Sequence, residues 1–276
     1  MELATRTKTF DLSSRTHVMG ILNVTPDSFS DGGSYTTLDK AVHQAEKMVS
    51  EGADIIDIGG ESTRPDHQAV PLEKELERVI PMIHAVAEKI TSPISIDTYK
   101  AETARQAMEA GAQVINDIWG AKKDPEIAAV AAAYDVPIIL MHNRDNRNYT
   151  NIMEDIKSDL AESIEIAIKA GVKEKRIMID PGIGFAKTGA DNLVVMNHLE
   201  QLSDLGYPLL LAASRKRFLG DILQAEASDR DNGTAATTCL GITKGAHMVR
   251  VHNVKLNKEM ALVMDAILGK GVGING

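Results

Sequence analysis

Polar side chains follow three short apolar runs in the sequence. Asp97 and Asp180 each come directly after such a run, and Asn116 ends a third. Ionised carboxylates only accept hydrogen bonds, and an amide oxygen also accepts. Together the three side chains can therefore bind the edge of a flat ligand with several N–H donors, such as an aminopyrimidinone ring. Taken alone, each aspartate is explained equally well as the N-cap of the helix that follows.

Positive charge follows the last two apolar runs of the chain. Arg215, Lys216 and Arg217 come after the seventh run, and Arg250 and His252 lie at the end of the eighth. Strand alternation puts Arg250 and His252 on one side of the chain, where both can bind a phosphate or diphosphate. Lys216 is expected to point inward, with Arg215 and Arg217 as surface charge.

Two long polar loops follow the first two apolar runs. Residues 23–33 contain two aspartates, two serines and a glycine pair, and residues 59–65 read Gly-Gly-Glu-Ser-Thr-Arg-Pro. Such loops are typical of lids over an active site, although ordinary surface loops are the alternative. After the fifth run, Met141 is a candidate to line the pocket, and His142 has an equally good structural interpretation.

The elements that position these residues repeat one unit: a short apolar run, a polar loop, and an amphipathic helix that ends near a glycine. Several runs are apolar almost throughout, as in parallel strands that are buried on both faces. The predicted strands are 17–22, 54–58, 94–96, 113–116, 136–141, 176–179, 209–213 and 247–251. The predicted helices are 38–50, 72–90, 101–109, 125–134, 152–169, 191–205, 229–244 and 255–268.

Eight such units favour an α/β fold, a (β/α)8 TIM barrel that residues 1–276 form as a single domain. Residues 8–12 are an N-terminal extension that can form a short hairpin. Length alone also allows two domains, and a doubly wound open sheet has the same local pattern. In a barrel the active site lies on the loops after the strand carboxyl ends, so the polar side chains would meet at one mouth.

The composition is that of an acidic globular protein. Its 30 Lys and Arg residues oppose 39 Asp and Glu residues, and the formal net charge of −9 argues against a nucleic-acid partner. Cys239 is the single cysteine, which excludes an intramolecular disulfide. No apolar run reaches the roughly 18 residues of a membrane span, and residues 1–15 lack the apolar core of a signal peptide. We expect a cytoplasmic protein with no membrane partner.

Five segments, in this order along the chain, resemble the signatures of the dihydropteroate synthase family of folate-pathway enzymes, the targets of sulfonamide drugs. They are 20–33 (GILNVTPDSFSDGG), 57–65 (DIGGESTRP), 180–185 (DPGIGF), 214–216 (SRK) and 250–252 (RVH). The run 211–214 departs slightly, since the family pattern has Gly and Thr or Val near Ala212 and Ala213. The resemblance implies that 6-hydroxymethyl-7,8-dihydropterin diphosphate condenses with 4-aminobenzoate to 7,8-dihydropteroate and diphosphate, by a magnesium-assisted dissociative displacement.

The resemblance also implies a role for each matching residue at the pterin end of the site. Asp97, Asn116 and Asp180 would bind the pterin edge. Lys216 would meet the carbonyl and nitrogen side of the ring, and Arg250 would cover the ring while it faces the diphosphate. The two aspartates would also stabilise a cation that develops on the pterin methylene group.

At the other end, Asn23 and His252 would contact the diphosphate, and Asn23 would be the protein ligand of Mg2+. Ser214 would bind the carboxylate of 4-aminobenzoate. The rest of that subsite would be formed by Phe29, Asp31, Thr63, Arg64 and Pro65. Met141 and Phe185 complete the predicted substrate contacts. The predicted catalytic residues are Asp97, Asp180, Lys216, Asp31 and Arg64.

Two other functions remain as alternatives. A methyltetrahydrofolate-binding methyltransferase domain would share the acceptor cluster, but it would not need the cationic residues or the first loop. A non-catalytic pterin-binding paralogue is disfavoured by the intact first loop and by Arg64 and Pro65. The resemblance further suggests a homodimer whose interface lies on the last helices.

Overall fold

The computed structural model describes residues 1–23, 37–61 and 70–271. The predicted site residues Phe29, Asp31, Thr63, Arg64 and Pro65, and most of both predicted lid loops, lie outside the described residues.

The predicted parallel barrel is confirmed. The strands are β1 (Glu2–Ala4), β2 (Thr9–Asp11), β3 (His17–Asn23), β4 (Ile55–Gly59), β5 (Ile94–Asp97), β6 (Val114–Asp117), β7 (Ile138–Met141), β8 (Ile177–Asp180), β9 (Leu210–Leu211) and β10 (Met248–Val251). From β3 to β8 each strand pairs in parallel with the next, and β10 pairs with both β3 and β9. A parallel bridge between Ile179 and Leu209 joins β8 to the β9 segment. The bridge closes the ring, which distinguishes a barrel from an open doubly wound sheet.

The residues that point into the barrel follow the two-residue period of the strands. Met19, Ile55, Val114, Ile139, Met178, Leu210 and Met248 form one buried cluster together with residues of the N-terminal segment. Because successive side chains of a strand point to opposite faces, residues two positions later point inward as well. Asp57, Asn116, Met141, Asp180 and Arg250 occupy those positions, one layer nearer to the carboxyl ends of the strands.

Helices cover the outer face of the barrel. They are α1 (Thr37–Ser50), α2 (Leu72–Ala87), α3 (Ala101–Ala110), α4 (Glu126–Ala133), α5 (Ile152–Lys169), α6 (Gly189–Asn197), α7 (Arg217–Leu223), α8 (Asp231–Thr243) and α9 (Val254–Ile267). In α2, for example, Val79, Met82, Ile83 and Val86 are buried at helical spacing against the sheet. Among the helices described, none is long and apolar enough to cross a bilayer.

The N-terminal extension forms the hairpin that the sequence allowed. β1 and β2 pair antiparallel, with Leu3 opposite Phe10. Leu3, Phe10 and Leu12 are almost fully buried and pack on the inward-facing residues near the strand amino ends. The hairpin therefore closes the end of the barrel opposite the predicted site.

Three local predictions need correction. The predicted helix 191–205 ends at Asn197 and continues as a 3-10 segment, Leu199–Leu205. The predicted strand 209–213 pairs through Leu210 and Leu211 with β10 and through the single bridge at Leu209 with β8, and the chain then bends toward Arg215, whose φ is +56°. The short helix α7 was not predicted, because seven residues are too few to establish a helical period.

Candidate active site

Arg250 lies between two buried carboxylates at the carboxyl end of the barrel. Its Nε donates to Asp57 Oδ2 and its Nη2 donates to Asp97 Oδ2, both at 2.6 Å. Asn116 Nδ2 also donates to Asp57 Oδ2, at 3.2 Å. The structure thus brings the predicted residues Asp97, Asn116 and Arg250 together: Arg250 links Asp97 to Asp57, and Asp57 also accepts from Asn116.

One oxygen of each of these carboxylates has no hydrogen-bond partner among the described residues. Asp57 Oδ1 and Asp97 Oδ1 are both buried and accept no hydrogen bond from the part of the chain that the structure describes. A buried acceptor without a donor costs roughly 1 to 3 kcal/mol, so such atoms in a native protein call for an explanation. Two of them in one cluster are suited to a ligand that brings its own N–H donors.

Burial favours the uncharged, protonated form of two carboxyl groups in this site. It raises the pKa of Asp97 to about 7, with the neighbouring Arg250 cation acting in the opposite direction. It raises the pKa of Asp180 to about 6, although the backbone N–H of Gly182 donates to its Oδ1 at 2.7 Å. Both carboxyls can therefore change protonation state near neutral pH.

Lys216 points inward as predicted, and it contacts another predicted residue. Its Nζ lies 4.2 Å from the centre of the Phe185 ring, a cation–π distance. Burial and the nearby Arg250 cation together lower the pKa of Lys216 to about 8. Met141, which is also buried, is the register partner of Asp180 on the neighbouring strand.

His252 and Ser214 are bonded to each other. His252 Nδ1 lies 2.9 Å from Ser214 Oγ, and the His252 backbone N–H donates to the same oxygen at 3.1 Å. Burial, together with the cations of Arg215 and Arg250, lowers the pKa of His252 to about 3. The imidazole is therefore neutral at physiological pH, and the Ser214 hydroxyl is engaged within the protein.

Asn23 ends β3 with an exposed side chain, on the same side of the strand as the inward-facing Met19. Magnesium prefers oxygen ligands and usually combines one or two protein oxygens with substrate phosphates and waters. The amide oxygen of Asn23, at the mouth of the barrel, fits that kind of shared site.

The two arginines beside Lys216 differ from each other. Arg217 is exposed, as expected, but the expectation of surface charge is wrong for Arg215. Arg215 is half-buried and makes a two-point ion pair with Asp231, at 2.7 and 2.9 Å. The cause is α8, which brings Asp231 within reach.

Asp57 is the site residue that the sequence reasoning did not single out. It lies within the segment 57–65, and a fully buried charge inside an apolar strand is itself a signal of function. Asp117, by contrast, is a local cap, because its carboxylate accepts the backbone N–H groups of Trp119 and Ala121. His142 also has the structural role, since its Nε2 lies 2.9 Å from Asp159 on α5.

A polar cleft of about 420 Å3 lies between the loops after β6 and β7. Its lining includes Lys122, Lys123 and Arg144, and each of these cations is paired with a nearby carboxylate. None of the predicted site residues lines it. We therefore locate the chemistry at the Asp57–Asp97–Arg250 cluster.

Comparison with known proteins agrees with this geometry. The model of the pterin binding enzyme family matches residues 19–252. The dihydropteroate synthase of Bacillus subtilis (strain 168) is 58% identical over 267 residues, which cover 97% of this chain and 94% of the relative. The chain belongs to the dihydropteroate synthase family.

Solved structures of the dihydropteroate synthase family share the fold. The Xanthomonas albilineans enzyme with 4-aminobenzoic acid is 41% identical and has a TM-score of 0.92, with 97% of this chain and 98% of that chain covered. The Yersinia pestis enzyme in a sulfonamide drug complex is 39% identical and has a TM-score of 0.91, with 98% of this chain and 100% of that chain covered. As a member of this family, the protein is a transferase with a pterin-binding TIM barrel.

Proposed function

We propose that the protein condenses 6-hydroxymethyl-7,8-dihydropterin diphosphate with 4-aminobenzoate to give 7,8-dihydropteroate and diphosphate. The observation that carries the proposal is the pair of buried oxygens, Asp57 Oδ1 and Asp97 Oδ1, that accept no hydrogen bond from the described residues. A pterin ring offers amino and ring N–H groups along one edge, which are the donors that these acceptors need.

The pterin is held by acceptors on four strands of the barrel. Asp57 and Asp97 accept from the ring edge, and Asn116 and Asp180 complete the set from β6 and β8. Lys216 donates to the carbonyl and nitrogen side of the ring. Phe185 packs on Lys216, and Met141 supplies apolar contact beside Asp180. Burial of all these groups strengthens each hydrogen bond relative to water.

The diphosphate lies toward Arg250, His252 and Asn23. The imidazole of His252 is neutral and its Nδ1 is bonded to Ser214, so Nε2 is the nitrogen that can donate to a phosphate oxygen. Asn23 would hold Mg2+ together with diphosphate oxygens and waters. When bound, the ion supplies charge neutralisation to the leaving group.

The reaction is dissociative. The bond between the pterin methylene carbon and the diphosphate oxygen breaks first, and both electrons leave with the diphosphate. The amine nitrogen of 4-aminobenzoate then attacks the methylene cation and loses a proton to solvent. Asp97 and Asp180 stabilise positive charge that develops only as the bond breaks, which lowers the barrier rather than only strengthening ground-state binding.

The 4-aminobenzoate subsite combines Ser214 with residues of the two loops, namely Phe29, Asp31, Thr63, Arg64 and Pro65. Asp31 and Arg64 belong to the proposed catalytic set. Their loops would exclude water that could trap the cation.

We further propose a cytoplasmic homodimer. Leu262, Val263 and Ile267 of α9 are exposed by 56, 56 and 70%, an apolar surface suited to a second copy of the chain. Sedimentation of the purified protein, with Val263→Glu as the variant, tests this proposal. Sedimentation of the unmodified protein as a monomer at micromolar concentration would contradict it.

One assay of the purified protein tests the function. We expect diphosphate release that requires both 4-aminobenzoate and Mg2+. A methyltetrahydrofolate-binding methyltransferase domain would bind its folate without releasing diphosphate. A non-catalytic paralogue would bind the pterin diphosphate with no turnover. Either of these results would refute the proposed reaction.

A further inference from the structure

Lys187 is a buried cation that the proposed reaction does not use. It is 5% exposed, and it lies between β8 and α6. Its Nζ donates to Gly182 O at 3.0 Å and to Phe185 O at 3.1 Å, and it lies 2.8 Å from His142 Nδ1. His142 Nε2 faces the Asp159 carboxylate, so the ring proton is on Nε2 and Nδ1 accepts. An ammonium group has three donors, and all three are used.

Both carbonyls belong to the segment that carries Phe185. Gly182 and Gly184 have φ angles of +67° and +86°, which favour glycine. A Cβ on Gly182 would lie 1.9 Å from His142 O, and a Cβ on Gly184 would lie 2.9 Å from Lys216 Cδ. The segment therefore packs closely against the loop after β7 on one side and against the Lys216 side chain on the other. A small backbone shift would change the position of Phe185.

A role of Lys187 in filling space alone would not explain why a titratable amine is buried here. His142, Asp159 and Arg144 face it from the β7 and α5 side, Asp180 from β8, and Lys216 from the loop after β9. Burial lowers the pKa of Lys187 to about 7. An apolar side chain of similar length would avoid the cost of removing the amine from water. The presence of the amine is therefore best explained by the hydrogen bonds that it makes.

We propose that Lys187 is a positioning residue for the reaction: its ammonium group fixes the Gly182–Phe185 turn so that Phe185 stays against Lys216. The inference rests on the proposed function for the roles of Phe185 and Lys216. Lys187 itself touches no substrate in this proposal.

A double-mutant cycle with Lys187→Met and Phe185→Ala tests the proposal. Lys187→Met removes all three bonds and keeps the length of the side chain. We expect it to lower kcat/KM for the pterin diphosphate by about tenfold or more. If Lys187 acts through Phe185, the double variant will be within about twofold of Phe185→Ala, because effects through a shared partner are not additive.

Tyr149→Phe is the matched control. The Tyr149 hydroxyl donates to Ala186 O at 3.0 Å, so this variant removes one bond to the same segment from its other end. We expect an activity change of less than about threefold, with a smaller shift in melting temperature than that of Lys187→Met, because one bond is removed rather than three. If Lys187→Met does not fold, Lys187→Gln, which keeps N–H donors without the charge, takes its place in the cycle.

Two results would overturn the positioning role. One is wild-type activity in folded Lys187→Met, and the other is a double variant whose loss equals the product of the two single losses. The Kd for the pterin diphosphate is measured in parallel by calorimetry. If the unmodified protein binds the pterin without turnover, the proposed function fails, and the same cycle in Kd still tests Lys187.

Discussion

Arg250 Nη2 lies 2.6 Å from Asp97 Oδ2, although the two residues are 153 positions apart in the chain. This ion pair uses one carboxylate oxygen of Asp97, and the other remains buried without a donor among the described residues. Arg250 therefore keeps Asp97 in place while one of its acceptors stays available to a ligand.

Asp97→Asn is predicted to lower kcat by about 10²- to 10³-fold, because it removes the negative charge that stabilises the developing cation. Asp117→Asn is the matched control. Asp117 is equally buried, burial raises its pKa to about 7, and it caps a turn without facing the cluster. We expect the control to lower the melting temperature while kcat changes by less than about threefold. The measurement is kcat of both variants and the parent by steady-state kinetics. Equal kcat for Asp97→Asn and the parent would exclude the electrostatic role of Asp97.

Activity, and the contribution of Asp97 and Asp180 to stability, are predicted to depend on pH in opposite directions. Burial raises the pKa of Asp97 to about 7 and that of Asp180 to about 6. Protonation turns an acceptor into a donor, so kcat/KM for the pterin diphosphate should fall as the pH drops through this range. For stability the sign is reversed. The folded protein binds these protons more tightly than the unfolded chain, so the stabilisation is complete below the unfolded pKa and is lost as the pH rises through 6 to 7.

The measurements are a pH profile of kcat/KM and urea unfolding at about pH 5.5 and pH 8, a range that spans both shifted pKa values. Asp97→Asn lacks one of the titrating groups, so the free energy of unfolding of the parent should fall from pH 5.5 to 8 relative to that of the variant. An unfolding free energy of the parent that rises from pH 5.5 to 8 by more than that of the variant would contradict the assignment.

Asp57→Ala is predicted to destabilise the fold by about 3 to 5 kcal/mol, because it removes one partner of a buried ion pair and leaves the other charge less compensated. Arg250 and Asn116 both donate to Asp57. Arg105→Ala, which breaks an exposed ion pair on α3, should leave the urea midpoint unchanged. Equal midpoints for the two variants would show that Asp57 is not structurally important.

Phe10→Ala is predicted to lower the free energy of unfolding by about 3 to 5 kcal/mol without a change in KM. Phe10 is 1% exposed and packs at the amino end of the barrel, opposite the site. Chemical denaturation and steady-state kinetics of the same preparation test both statements. An increased KM for either substrate would mean that the hairpin affects the active site.

The apolar runs were sufficient to predict the strands, except for the end of the predicted strand 209–213. Asp97, Asn116, Asp180 and Arg250 follow from the two-residue period of these strands, because a strand turns successive side chains to opposite faces. Lys216 follows no such rule, since it lies after the short strand β9, and its contact with Phe185 depends on how two loops pack.

The sequence by itself determined the barrel, the end of it that carries the polar residues, and the family. Only the tertiary structure decided which of those residues touch. Asp57 and Arg250 are 193 positions apart, and closure of the ring brings their strands to either side of β3. Ser214 meets His252, and Lys187 meets His142, because each pair follows two strands that are paired side by side in the sheet. Periodicity fixes the direction of a side chain, whereas the distance between two side chains depends on strand register and loop packing over the whole ring.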